Sequence, residues 1–155
     1  MSAITESLEW RRAVRRFDPA RIISAETWQV PEQSLGLSPS SCGAAAQEVL
    51  CDHIARHQAA ASGCGVGPDS AAGLFAFRGH RCIALGFLLE TAAMLRVDAC
   101  PTAGIRPERL DGLLAISGTP WTSVVACAPG YRSADDQSAA EARVRFEPAD
   151  VVVHC

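Results

Sequence analysis

Between Arg81 and Val97 the chain reads RCIALGFLLETAAMLRV, apolar almost all the way round a helix. A helix without a polar face belongs in an interior, so the other elements must be arranged around this one. Its longest apolar run, Cys82–Leu89, ends at Glu90, and even extended to Leu95 it is too short to span a bilayer. A chain of 155 residues favours one domain, residues 1–155, and 48% hydrophobic against 20% charged residues is enough to bury a core. Wholesale disorder and coiled coil are excluded on the same grounds.

Around that helix the signals are local. Thr5–Phe17 reads as a first helix, with acids early (Glu6, Glu9) and arginines late, as the helix dipole prefers. Asp18-Pro19 stops it. Ser24 is an N-cap for a second helix, and Pro31 predicts a kink or an early end. Leu37–Ser41 is loop. Residues 44–79 are the least readable: Gln47–Ala61 is compatible with a helix, and 62–73 has the composition of a loop. Pro101–Gly104 reads as a turn, and Pro107 at a helix N1 position opens Glu108–Leu114. Trp121–Ala128 is a buried strand closed by Pro129-Gly130, and Asp150–His154 a short terminal strand. Helices mixed with few, non-alternating strands give an α+β fold.

The net charge of −3 argues against a nucleic-acid binder. The segment Met1–Glu9 lacks the pattern of a signal peptide, so the seven cysteines are expected to be reduced thiols of a cytoplasmic protein. Phosphate-loop, nucleophile-elbow and dinucleotide-binding glycine motifs are missing. Asp52-His-x-x-x-His57 places two imidazoles one helical turn apart, with Cys51 before and Cys64 after. That set makes a small metal-binding protein one alternative.

All 14 basic residues are arginine. Arg11 and Arg15, and likewise Arg12 and Arg16, stand at i and i+4 on the expected first helix, where like charges repel unless an anion lies between them. Arg143 and Arg145 fall on one side of an extended segment, a fork suited to phosphate. The competing reading is a solvated helix terminus.

The run Leu8-Glu-Trp-Arg-Arg-Ala-Val-Arg-Arg-Phe-Asp18 resembles the opening of the nitroreductase family of FMN-dependent flavoproteins. The succession of later motifs is similar too: Ser24-Ala-Glu-Thr-Trp, Leu37-Ser-Pro-Ser-Ser41, the apolar helix, Asp98-Ala-Cys-Pro-Thr-Ala-Gly-Ile105, Pro107-Glu-Arg-Leu-Asp111, a strand ending in Gly130-Tyr-Arg, and Arg143-Val-Arg-Phe-Glu-Pro. The similarity covers residues 4–42 and about 80–153; residues 44–79 are shorter than the family's central segment and resemble nothing in it.

The resemblance implies a nitroreductase-like α+β sandwich, a small mixed sheet flanked by helices around the central helix, with its middle truncated. It implies that Arg11 and Arg12 meet the FMN ribityl phosphate and that Arg15 lies beside the flavin pyrimidine oxygen. Pro39, Ser40 and Ser41 match the loop that reaches the flavin from the other subunit. Ala103 and Gly104 match the turn whose backbone faces flavin N5, and Arg143 and Arg145 the pair that closes on the phosphate. It further implies a homodimer that takes electrons from NAD(P)H and passes them to a nitroaromatic, quinone or similar small molecule, with no side chain acting as acid or base. The short middle sets lowered turnover, or a flavin-binding relative without turnover, beside that reading.

Overall fold

The computed structural model describes residues 2–39, 47–51, 60–64, 71–119 and 122–154. Its elements, in chain order, are α1 (Ala3–Trp10), α2 (Ala25–Gly36), β1 (Gln47–Cys51), β2 (Ala60–Cys64), α3 (Ala71–Met94), β3 (Asp98–Thr102), α4 (Pro107–Leu113), β4 (Thr122–Gly130), α5 (Gln137–Ala140) and α6 (Pro148–Val151).

The first helix is shorter than its sequence predicts. Ser2 caps it by accepting from the Thr5 N–H, and the Arg11 N–H closes its last turn on the Ser7 carbonyl, 2.9 Å away. Arg11 itself is extended, and residues 11–18 lie outside any helix. The arginines therefore lie beyond the helix, not on its last turn. Two gains outweigh helix propagation here: Val14 is completely buried, and Ala13 forms a parallel bridge to Ala99 of β3.

The sheet has the order β1-β2-β4-β3, with all three strand pairings antiparallel. The Ala13 bridge adds the parallel component at the β3 edge. The strand expected at 121–128 is β4, which runs on through Pro129 and Gly130. Pro129 is tolerated because, among the described residues, β4 pairs there only with Ala99, the β2 ladder ending at Cys127. Thr102 and Pro101 pair with Ala126 and Cys127, so β3 absorbs half of the expected turn.

The helix expected at 81–97 is α3, and it begins ten residues earlier, at Ala71. It stops because Arg96 takes a left-handed conformation (φ 57°) and the N–H groups of Arg96 and Val97 turn back onto the carbonyls of Ala93 and Ala92. Arg96 is a costly residue for that position. Its guanidinium pairs with Glu6 and lies 5.3 Å over the Trp10 ring, which offsets the strain.

The core forms where Leu35 of α2 and Ala84 and Leu88 of α3 meet Ala99 and Cys127 of the sheet, with Trp28, Leu85 and Leu89 packed around them. Pro31 does not end α2 early. The helix continues to Gly36, with Pro31 and Leu35 buried, and that burial compensates the missing backbone donor.

Three further expectations are corrected. Residues 47–51 and 60–64 form an antiparallel ladder and not a helix, and the loop reading gives way to β2 at 62–64 and to α3 at 71–73; residues 52–59 and 65–70 lie outside the described residues. The expected terminal strand at 150–154 is replaced by α6, because Pro148 opens a helical turn that closes when the Val152 N–H reaches the Pro148 carbonyl. The short helix after Pro107 forms as predicted.

Candidate anion site on the arginine segment

The fold gathers polar groups along residues 11–18. The Asp18 N–H donates to the Tyr131 carbonyl at 2.8 Å and the Ser133 N–H to the Arg16 carbonyl at 2.9 Å, while Phe17 bridges Arg132. Asp136 completes this bracket. Its Oδ2 accepts the N–H groups of Arg15 (2.9 Å) and Arg16 (3.4 Å), and its Oδ1 accepts the Ser138 N–H at 3.0 Å, capping α5. Burial would raise the pKa of this carboxyl, but the donors of Arg15, Arg16 and Ser138 outweigh it and hold it below the ordinary 3.8.

A second buried carboxylate stiffens the same corner. Asp98, only 2% exposed, receives the Arg132 guanidinium through Nε at 3.0 Å and Nη2 at 2.5 Å, and the Arg132 backbone N–H at 3.0 Å. Arg132 also stacks 4.4 Å over Trp10. Gly130 is required here, because a Cβ on it would lie 2.5 Å from Cδ1 of Phe17.

On this frame the arginines are presented unequally. Arg11 is half-buried, and its Nη1 is buried with no hydrogen-bond partner among the described residues. Its charge lies close enough to Cys127 to oppose the rise in that thiol's pKa, which burial, assisted by Cys100, pushes to about 12. Arg12 donates from Nη1 to the Glu141 carbonyl at 2.5 Å, so the C-terminal segment is brought against the arginine segment two residues before Arg143. Arg15 and Arg16 expose their side chains while their backbones are held by Asp136. Helical i/i+4 pairing is thus absent, because residues 11–16 lie outside any helix.

The remaining expected site residues are more scattered. Arg143 and Arg145 are exposed within 142–147, outside regular secondary structure, and Arg145 Nη1 reaches only the Val144 carbonyl, at 2.8 Å. Ala103 and Gly104 occupy an exposed loop between β3 and α4, and a Cβ on Gly104 would meet nothing within 4 Å. Pro39 is exposed just after α2; Ser40 and Ser41 lie outside the described residues. The four-ligand metal set is overturned. Cys51 pairs with Ala60 and Cys64 with Gln47, at opposite ends of the hairpin, about 13 Å apart along the strands, too far to share one ion. His53 and His57 lie outside the described residues, and among those described no group of His, Cys, Asp or Glu could hold a metal. Sequence reasoning gave no role to Asp136, which lies in no motif, and none to Asp98 and Arg132, which lie in motifs that the resemblance quotes but pair only in the fold.

No family model matches the chain, and no curated protein matches it significantly. Solved structures do. NfrA2 of B. megaterium superposes with a TM-score of 0.78 at 15% identity, over 99% of this chain and 74% of that one. The NADPH:FMN oxidoreductase of Vibrio harveyi, solved with NAD+, gives 0.76 at 17% identity over 99% and 76%. A nitroreductase of Bacteroides fragilis with bound FMN gives 0.70 at 12% identity and is matched end to end, over 100% of both chains. The chain has the nitroreductase fold. About a quarter of the two longer relatives has no counterpart in it. No helix among the described residues is long and apolar enough to cross a membrane.

Proposed function

We propose that this protein is an FMN-dependent oxidoreductase that takes electrons from NAD(P)H and delivers them to a nitroaromatic, quinone or similar small acceptor in the cytoplasm. The observation that carries the reading is the bare, buried Nη1 of Arg11, set in an arginine-rich segment of a nitroreductase fold. A buried guanidinium nitrogen without a partner is costly, and a phosphate oxygen satisfies it. The residues present therefore fit the group. Arg11 and Arg12 would hold the phosphate, Arg143 and Arg145 would close on it, Arg15 would meet the ring, and the Ala103–Gly104 backbone would face it. Bound there, FMN supplies the hydride and electron transfer. The chain's own residues bind and orient, and none of them is assigned a proton transfer.

The assembly we propose is a homodimer built on α3 and α1. Ile83, Phe87 and Met94 are 42–53% exposed along one side of α3, with Ile4 and Leu8 of α1 similarly uncovered. A contiguous apolar face of this kind is what an isologous contact covers. A monomeric mass by light scattering at micromolar concentration overturns this arrangement.

The cofactor reading is tested by adding FMN to the purified protein and following flavin fluorescence, then NADH and NADPH oxidation with a quinone or nitroaromatic. Saturable quenching with acceptor-dependent turnover supports it. Quenching without turnover leaves a flavin-binding protein, and no quenching removes the proposal.

A further inference from the structure

The arginine segment and the C-terminal segment are distant in sequence, yet one carboxylate touches both. Asp136 Oδ2 receives two consecutive backbone N–H groups of the arginine segment, and its Oδ1 receives Ser138 N–H at the start of α5. Four residues of helix later, the Glu141 carbonyl accepts the Arg12 guanidinium, and Arg143 and Arg145 come next along the chain. Asp136 as a residue is 5% exposed, so these bonds are largely sheltered from bulk water. It carries a negative charge beside a cluster of arginines, none of whose side chains it is seen to neutralise: its bonds come from the backbone of Arg15 and Arg16 and from the backbone and hydroxyl of Ser138. A residue placed there to pair with arginine would accept from a guanidinium, as Asp98 does from Arg132.

We propose that Asp136 is a positioning residue of the flavin phosphate site, fixing the backbone of Arg15 and Arg16 and delivering the C-terminal arginines to it. The inference rests on the FMN reading above. Geometry makes the carboxylate hard to replace. Both oxygens must accept, and an asparagine offers one acceptor and one N–H₂, so one set of backbone donors would face another donor.

The sign of the effect separates positioning from simple charge. Removing a negative charge near an anion site should tighten anion binding if charge alone matters; removing a positioning group should weaken it. FMN dissociation constants are therefore measured by fluorescence quenching for wild type, Asp136→Asn and Asp136→Ser, alongside Asp111→Asn, with thermal unfolding of each. Serine still caps α5 but does not reach Arg15 and Arg16, which guards against an asparagine variant that fails to fold. Asp111 is a matched control. It too is buried, accepts Ser123 N–H at 2.8 Å and Thr122 Oγ1–H at 2.9 Å, and has its pKa lowered, but it sits at the opposite end of β4.

The expected result is an FMN dissociation constant raised at least about tenfold in both Asp136 variants. Asp111→Asn should lower the melting temperature and leave FMN affinity within about twofold, since its site is remote. Unchanged or tighter FMN binding in the Asp136 variants overturns the positioning role and leaves the FMN reading standing. Equal weakening by Asp111→Asn also overturns it, because the effect would then be loss of stability. Failure of wild type itself to bind FMN removes the reading and the positioning role together.

Discussion

The two arginine groups of the candidate site are built to different standards. In the segment from Arg11 to Arg16 the backbone is fixed by the Ala13–Ala99 bridge, by completely buried Val14, and by the Asp136 carboxylate. One guanidinium, that of Arg11, is driven part-way into the protein and left without a partner among the described residues. Arg143 and Arg145, by contrast, stand on exposed chain, where Arg145 bonds locally to the adjacent Val144 carbonyl. Identical chemistry is thus presented once pre-ordered and once free. Ordering a long side chain costs about 0.5–1.5 kcal/mol on binding, so the buried arginine should contribute more net affinity than the exposed ones.

The largest expected effect is at the buried arginine. Arg11→Ala should weaken FMN binding roughly ten- to a hundredfold, the worth of a charge-assisted contact of about 1.5–3 kcal/mol. Arg109→Ala, an exposed arginine on α4, should leave it unchanged, and fluorescence quenching reads both. Equal losses would mean that diffuse positive charge, and not a built site, attracts the anion.

A second test acts on the frame instead of the charge. Gly130→Ala places a methyl group 2.5 Å from Cδ1 of Phe17, the residue that ties the arginine segment to Arg132. The ring must move, at a cost of about 1–3 kcal/mol of stability for overpacking. Chemical denaturation should show that loss. If the contrast between the groups is right, FMN affinity falls with it, because Arg15 and Arg16 lose their register.

These same residues mark the boundary of what the chain's pattern reveals. The α3 helix, β4, the Ser24 cap and the Pro107 start are local: each arises from periodicity, propensity or capping within a few residues. The end of α1 is not local. Nothing between Arg11 and Phe17 forbids a helix; the segment is not helical because Ala99, Tyr131 and Asp136, about 85 to 120 residues away, supply its hydrogen bonds. The arginines are legible as an anion site by type and by family resemblance, but their spacing argument rests on a helix that does not form. Asp136 is illegible, since an aspartate that folding buries looks like any other in the sequence, and Asp98 is legible only as part of a motif, without its pairing to Arg132.

The buried Cys127 thiol, whose rise in pKa Arg11 only partly opposes, makes the fold sensitive to alkali. Cys127 keeps its proton up to about pH 12 in the fold, because burial, and secondarily Cys100, disfavours the thiolate, whereas an unfolded thiol releases it near 9.0. The folded pKa is the higher one, so its contribution is fully present below pH 9 and is lost as pH rises toward 12. By pH 10 the loss should be roughly 1 kcal/mol. Denaturant midpoints measured between pH 8 and 10 check it, with Cys127→Ala abolishing the slope.

The smallest effect is expected where the comparison began, at the exposed pair. Arg145→Ala removes a guanidinium that in the free protein touches only its neighbour's carbonyl, so the apo fold should keep its melting temperature within measurement. On binding, its charge-assisted contact is offset by the ordering of its own side chain and of the exposed chain that carries it, leaving about 1 kcal/mol, roughly fivefold in affinity. The loss should also be more sensitive to salt than that of Arg11→Ala, because a contact formed at the surface is screened and a half-buried one is not. Titrating FMN into both variants at low and at physiological ionic strength separates them. If Arg145→Ala instead matches Arg11→Ala at both salt concentrations, the C-terminal arginines are as well ordered as the buried one, and the contrast drawn from their exposure is wrong.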